Sequence, residues 1–243
     1  MINAMASEKP HHDSVGIISR SPWFEGLPER AHLRLAEAGR IHHYRKSAYL
    51  YTTGEASKDV YCILSGRVRL LLSSTIGQEF AIRDLEPEAW LGEQFMAHDF
   101  PTAIDARILE SATVFVIPRA VVLTIGDEHP VMYKNIFKHH MRRSRGVWRL
   151  LTGMAFYQLR SRLAGRLLAL IEEHGQQGAE GVLIDINMSQ TDFAQLSLGS
   201  RQRINKILSE WRERGIIEVQ TNHYVVRNID ALREELELKD DED

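Results

Sequence analysis

From Ser189 to Ile217 the apolar positions recur at helical spacing, break, and recur again. Phe193, Ala194 and Leu196 give a short helix one apolar face, and Ser189 with Asp192 makes a capping-box-like start in which Asp stands for the usual Glu or Gln. A turn falls at Leu198-Gly199, Ser200 is a second N-cap candidate, and Ile204, Ile207, Leu208 and Trp211 then mark the buried face of a second helix. After Gly215, the β-like runs Ile216, Ile217, Val219 and Tyr224, Val225, Val226 flank Thr221-Asn222-His223, which predicts a hairpin. Upstream, Val182, Ile184 and Ile186 alternate with Leu183, Asp185 and Asn187, as a strand completing a small sheet would. Helix, strand, helix-turn-helix and hairpin in that order predict a winged helix-turn-helix.

The N-terminal half changes period. From Pro22 one short helix is expected, with Leu27, Ala31, Leu33, Leu35 and Ala36 as its apolar positions. Short β-like runs follow at 49–51, 60–64, 68–72, 80–82 and 113–117, separated by turn residues at Gly54-Glu55, Ser65-Gly66, Ile76-Gly77 and Glu86-Pro87. Many short strands with turns between them predict a barrel, sandwich or jelly roll. A long helical segment then runs from Pro130 to about Tyr157, with Gly only at 146 and 153. Its stripe of Met132, Ile136, Val147, Leu150, Leu151 and Met154 is interrupted by His140 and Arg143. A helix of this length between two domains hides such a stripe against a partner helix, so a parallel dimer seam is expected, with the polar pair fixing register.

Composition sharpens the picture at three points. With 243 residues and 44% hydrophobic content the chain can bury two small cores. Its net charge of -3 argues against bulk electrostatic binding to nucleic acid, so any DNA contact must come from a local basic face. Such a face exists on the second helix of the helix-turn-helix, where Arg201, Gln202, Arg203, Asn205 and Lys206 stand opposite the apolar stripe. These side chains can bind phosphates and the edges of guanine and adenine, and they occupy the turns where a recognition helix meets a major groove. The single Cys62, set among Val60, Tyr61, Ile63 and Leu64, excludes an intramolecular disulfide framework and reads as a buried thiol. No apolar run approaches a membrane span and the start lacks a signal-peptide pattern, so a cytoplasmic protein is expected.

The order of parts resembles the cyclic-AMP receptor protein/FNR superfamily of bacterial transcription regulators, over about Pro22 to Asn228. The landmarks are Ser65-Gly66-Arg67-Val68, Trp90-Leu91-Gly92-Glu93, the long helix, and Ser200-Arg201-Gln202. The resemblance implies an α+β protein: a β-roll (jelly roll) of the cyclic-nucleotide-binding type, a long dimerisation helix and a C-terminal winged helix-turn-helix. The divisions expected are an arm over 1–20, the sensor over 21–128, the dimerisation helix over 129–160, the DNA-binding domain over 161–230 and an acidic tail over 231–243. The resemblance places base reading on Arg201, Gln202 and Lys206, and backbone contacts on Ser189, Ser200, Arg203 and Gln220. The seam would hold Ile136, His140, Arg143, Val147, Leu150, Leu151 and Met154. The implied partners are double-stranded DNA with an inverted-repeat operator, a second copy of the chain and, for an activator, RNA polymerase.

In that family a Gly-Glu pair holds the ribose of a cyclic nucleotide and an Arg-Ser pair takes its phosphate. Gly92 and Glu93 match the first, but the second falls on Thr102-Ala103 and lacks the guanidinium. The family's adenine-contacting positions fall on Val147 and Trp148, neither of which accepts a hydrogen bond from an exocyclic amine. Cyclic AMP is therefore not the expected effector, and Arg107 is the nearest substitute cation in sequence. A ligand-independent regulator, another nucleotide such as a cyclic dinucleotide, and a haem or gas signal stay open, and no cofactor is required. The adjacent pairs His11-His12, His42-His43 and His139-His140 invite a metal, but neighbouring side chains on a strand or helix diverge, so no metal is assigned. An enzyme using Glu93 with His98 as an acid–base pair lacks a nucleophile, a metal-spaced cluster or a phosphate loop. A pure scaffold would leave Arg201 and Lys206 without purpose.

Overall fold

The computed structural model describes residues 4–8, 14–96, 101–220 and 223–236. His11-His12, His98, the Thr221-Asn222 turn and the tail beyond 236 lie outside the described residues. The chain divides into two units, Met1–Val147 and Trp148–Asp243.

In the first unit the elements are β1 (Ala4–Glu8), α1 (Ser14–Arg20), α2 (Glu29–Ala38), β2 (Arg40–Tyr44), β3 (Tyr49–Tyr51), β4 (Asp59–Ser73), β5 (Glu79–Leu85), β6 (Trp90–Leu91), β7 (Asp105–Pro118), α3 (Arg119–Glu128) and the start of α4 (Val131–Phe156). The strands form an antiparallel sheet in the order β1-β2-β7-β4-β5, with β3 on β7 and β6 on β4. β4 and β7 are apolar on both faces, and the two-residue period of a strand separates their side chains. Val60 and Cys62 of β4, with Phe115 and Ile117 of β7, pack with Trp23, Phe24, Leu35, Val122, Ile125, Met132 and Ile136. Tyr61, Ile63, Val68 and Leu70, with Val114 and Val116, pack instead with Tyr44, Leu50, Tyr51, Leu91 and Phe95. One sheet thus serves two cores, which is the jelly-roll-like sensor expected.

Several sequence expectations change in detail. The runs 60–64 and 68–72 belong to one strand, and Ser65-Gly66 is a bulge in the β4–β7 ladder rather than a turn. Gly66 has φ 83, and a Cβ there would lie 2.5 Å from the Ser111 carbonyl oxygen, so the bulge demands glycine. Within the arm expected over 1–20, residues 4–8 pair as β1 with β2, and Ser14–Arg20 is helical with Ile18 fully buried. In α2, Ala31, Leu35 and Ala36 are buried but Leu33 is exposed, since only residues three and four apart share the inner face.

The second unit contains α5 (Leu159–His174), β8 (Gly175–Gly178), β9 (Gly181–Ile184), α6 (Gln190–Ser197), α7 (Arg201–Glu213), β10 (Ile217–Gln220), β11 (His223–Val226) and α8 (Ile229–Glu234). Its antiparallel sheet runs β10-β11-β9-β8. Leu163, Leu167, Phe193, Ile204, Leu208, Trp211, Tyr224, Val226 and Leu232 are among its buried core. Phe193 and Tyr224 meet edge to face at 4.9 Å, fastening α6 to β11. The winged helix-turn-helix is present, with α8 added after the wing.

Candidate nucleic-acid interface and sensor site

The capping box of α6 is complete. Ser189 Oγ accepts from the Asp192 amide, and the Asp192 carboxylate accepts from the Ser189 amide at 2.8 Å. The Ser189 hydroxyl also donates to Asp192, so this side chain is committed to the cap and not presented to a phosphate. At the turn, Leu198 takes the left-handed conformation with φ 52. Gly199 is needed for a different reason: a Cβ there would sit 2.5 Å from Leu159 Cδ1. Ser200 Oγ then accepts from the Arg203 amide and caps α7.

From that start α7 buries Ile204, Ile207, Leu208 and Trp211 and leaves Arg201, Gln202, Arg203 and Lys206 exposed. All four expected contact residues therefore stand on the outer side or at the N-terminal end of one helix. Asn205 is half-buried, and its Oδ1 lacks a partner among the described residues. Gln220 is exposed on the wing strand β10, where its amide donates to Glu218 at 2.9 Å.

Two residues that shape this interface escaped the sequence reading. Arg162 of α5 donates to the carbonyls of Tyr157, Ser197 and Leu198, and Arg166 donates to that of Leu196. Together they satisfy the C-terminal carbonyls of α6 and fix the turn before α7. Burial, and then the nearby Arg203, lower the Arg162 pKa. Their spacing of four residues on one helix face was the available signal.

The sensor residues lie in the first unit. Gly92 has φ 106, and a Cβ would approach the Asp59 carbonyl oxygen to 3.1 Å, so the chain can enter the short helical turn Glu93–Phe95 only with glycine at this point. The Glu93 side chain is largely covered, and its carboxylate accepts from Arg143 of α4 at 2.9 Å, with His140 Nδ1 at 3.7 Å. Burial alone would raise the Glu93 carboxyl, but His140 and the Arg143 guanidinium reverse this and hold it down at about 2. The same contact with Glu93 raises His140, whereas burial followed by the Arg143 charge lowers His139. Glu93 Oε2 and Gln94 Nε2 are buried without partners among the described residues.

Around the position of the family's phosphate, the Thr102 amide and carbonyl bond Glu55 and Gly54, its hydroxyl bonds Ile104, and Ala103 is exposed. Arg107 does not supply the missing cation, because it donates to both oxygens of Glu79 at 2.6 and 2.8 Å. Val147 and Trp148 are exposed on α4 rather than enclosed around a base. Among the described residues no group of three or more His, Cys, Asp or Glu is arranged to hold a metal ion. His139 packs edge-on against Trp23 while His140 faces Glu93, so the adjacent rings diverge. Cys62 is buried, which pushes its thiol up to about 12.

The expected seam needs correction at Ile136 and Arg143. Ile136, at 6% exposure, belongs to the core formed with Trp23 and Phe24, and Arg143 turns toward Glu93, while His140 reaches Glu93 from an exposed position. The exposed apolar positions of α4 include Phe137, Met141, Val147, Trp148, Leu151 and Met154, with Leu150 half-buried. Of these, 137, 141, 148 and 151 fall at the three-four repeat of a coiled-coil stripe. The acidic end also changes: Glu235 is fully buried and accepts from Arg160 at 3.0 Å and from Arg214.

Comparison with known proteins agrees with this division of labour. Residues 41–129 match the cyclic nucleotide-binding domain family, and residues 161–235 match the Crp-like helix-turn-helix domain family. The cyclic AMP receptor protein of Thermus thermophilus is 27% identical over 88% of this chain and 96% of its own length. A CRP-like cAMP-activated global transcriptional regulator of Mycobacterium tuberculosis is 22% identical over 89% of this chain and 96% of its own. Among solved structures, a CooA mutant from Carboxydothermus hydrogenoformans superposes with a TM-score of 0.71 at 23% identity, covering 81% of this chain and 87% of that one. The c-di-GMP responsive global regulator CLP of Xanthomonas campestris gives 0.72 at 15% identity, over 82% and 99%. No helix among the described residues is long and apolar enough to cross a membrane. With a cyclic-nucleotide-binding-type sensor joined to a DNA-reading winged helix, the chain belongs to the cyclic-AMP receptor protein/FNR family of DNA-binding transcription regulators.

Proposed function

We propose that this regulator acts in the cytoplasm as a homodimer on inverted-repeat operators, reading bases with Arg201, Gln202 and Lys206 and holding phosphates with Arg203. The observation that carries the reading is the capped helix α7, with its apolar face buried and these four side chains exposed. Arg201, at the first turn, can reach O6 and N7 of one guanine, Gln202 can pair with adenine, and Lys206 can donate to guanine. Ser200 and Gln220 stand beside that face and on the wing, in keeping with backbone contacts, while the N-terminal amides of α6 replace the committed Ser189 hydroxyl. The exposed stripe Phe137, Met141, Trp148 and Leu151 is the surface for the second copy. RNA polymerase is the further partner if the bound dimer activates.

Cyclic AMP is not the effector in this reading. A buried phosphate without a cation loses several kcal/mol of affinity, and neither Thr102-Ala103 nor the Glu79-paired Arg107 offers one. The closed contact of Glu93 with Arg143 and His140 favours a second reading, a regulator whose sensor is set without ligand. A nucleotide of different shape is the other candidate, and the names of the similar proteins already span cyclic AMP and c-di-GMP. Gel-shift titration on selected sequences, with and without each nucleotide, tests the reading. Tight sequence-specific binding that cyclic AMP leaves unchanged is expected, and binding that requires cyclic AMP contradicts it.

A further inference from the structure

Recognition helix α7 is held at the end far from its base-reading residues by an ionic cluster closed around one buried carboxylate. Glu235, just past α8, is fully buried. Its carboxylate accepts from Arg160 of α5 at 3.0 Å and from Arg214, the C-cap residue of α7. Arg160 also donates to Glu210 on α7. Two cations and two carboxylates from α5, α7 and the end of α8 thus close on one another without leaving a net charge. Along α7, Glu210 and Arg214 lie beyond Lys206 and about two to four turns beyond Arg201 and Gln202, toward the opposite end of the helix.

We infer that Glu235 is a positioning residue for sequence reading: it locks the C-terminal end of α7 against α5 and thereby sets the tilt at which the N-terminal side chains meet base edges. This rests on the proposal that α7 reads the operator. The 13 residues of α7 span about 20 Å, so a tilt of about 5° about the clamped end displaces the Arg201 end by roughly 1.7 Å. Bidentate base recognition tolerates only about 0.5 Å. Long, flexible cations on phosphates tolerate far more. Loosening the cluster should therefore lower discrimination between sequences and leave general DNA affinity nearly intact.

The test uses the full chain, measured well below its thermal midpoint, with the ratio of operator to random-sequence affinity as the readout. Glu235→Gln and Arg214→Gln change net charge in opposite directions, so an effect of bulk charge would move their affinities oppositely. Positioning predicts that the ratio falls in both, by about tenfold, the scale of one mismatched base pair. Arg214→Lys, which keeps the charge, should retain most of the ratio. If Glu235→Gln fails to fold, Arg214→Gln carries the test, since that guanidinium is half exposed. The inference is overturned if operator and random-sequence affinities fall by the same factor, or if the ratio stays at the wild-type value. Wild-type protein that showed no preference for any sequence would instead sink the base-reading proposal itself.

Discussion

Replacing Glu93 with Gln should remove a defined part of the acid sensitivity of the fold. The Glu93 side chain is 9% exposed and faces Arg143 at 2.9 Å, with His140 close by. Its carboxyl is held from an ordinary 4.5 down to about 2, and since a tenfold change in proton affinity is about 1.4 kcal/mol, the native state gains about 3 kcal/mol from this group. The folded-state value lies below the unfolded one, so the contribution is complete above the unfolded value of 4.5 and is lost as the pH falls toward about 2. By pH 3 about 2 kcal/mol of it should be gone. Urea unfolding of wild type and Glu93→Gln at steps from pH 5 to pH 3, where His140 stays charged in both states, measures the difference directly. The wild-type curve should fall by about 2 kcal/mol more than that of the variant over this range. Two parallel curves would refute the reasoning, because they would mean that the carboxylate is not closed by α4 in the free protein.

Three further outcomes follow from the geometry. Trp148→Asp and Leu151→Asp should leave the fold intact and shift the chain toward monomer in light scattering, whereas Ile136→Asp should unfold the sensor, costing about 3 kcal/mol or more in thermal melts, because that side chain lies inside the monomer core. Gly66→Ala should cost more than about 1 kcal/mol in urea titration, since φ 83 and the Ser111 carbonyl both oppose a Cβ. Calorimetry with cyclic AMP should show no micromolar affinity, and such affinity together with tightened operator binding would overturn the argument from Thr102, Ala103 and Arg107.

The recognition unit was legible in the sequence because local signals and burial agree there. Ser189 and Asp192, Ser200, and the apolar positions of α6 and α7 each predict the contact they make. The sensor was legible as β-rich but not in its strand lengths. β2 carries only Ile41 and Tyr44 as buried apolar residues, and the first half of β7 mixes Asp105, Arg107 and Glu110 into its pattern. Ser65-Gly66 carries the same letters whether it makes a turn or a bulge, and only pairing with the distant residues Ala112 and Thr113 decides. On α4 the sequence cannot say which apolar stripe meets the monomer's own core. Ile136 goes inward and Trp148 outward because the side of the helix facing Trp23 and Glu93 is set by long-range packing. Glu235 was hidden by composition: it is the second residue of the acidic run that begins at Glu234 and reads as solvated, yet Arg160 and Arg214 converge on it from earlier in the chain.

Selection of bound sequences from a random DNA pool, with wild type, Arg201→Ala and Arg203→Ala, tests the central claim most directly. Wild type should return an inverted repeat with half-sites about one helical turn apart. Arg201→Ala should relax one base pair in each half-site at a cost of about 1–3 kcal/mol. Arg203→Ala should keep the motif, weaken binding to all sequences alike and lower the salt dependence by about one phosphate. An unchanged motif for Arg201→Ala with an altered one for Arg203→Ala would reverse the assigned roles, and the absence of any inverted repeat would contradict the dimeric winged-helix account.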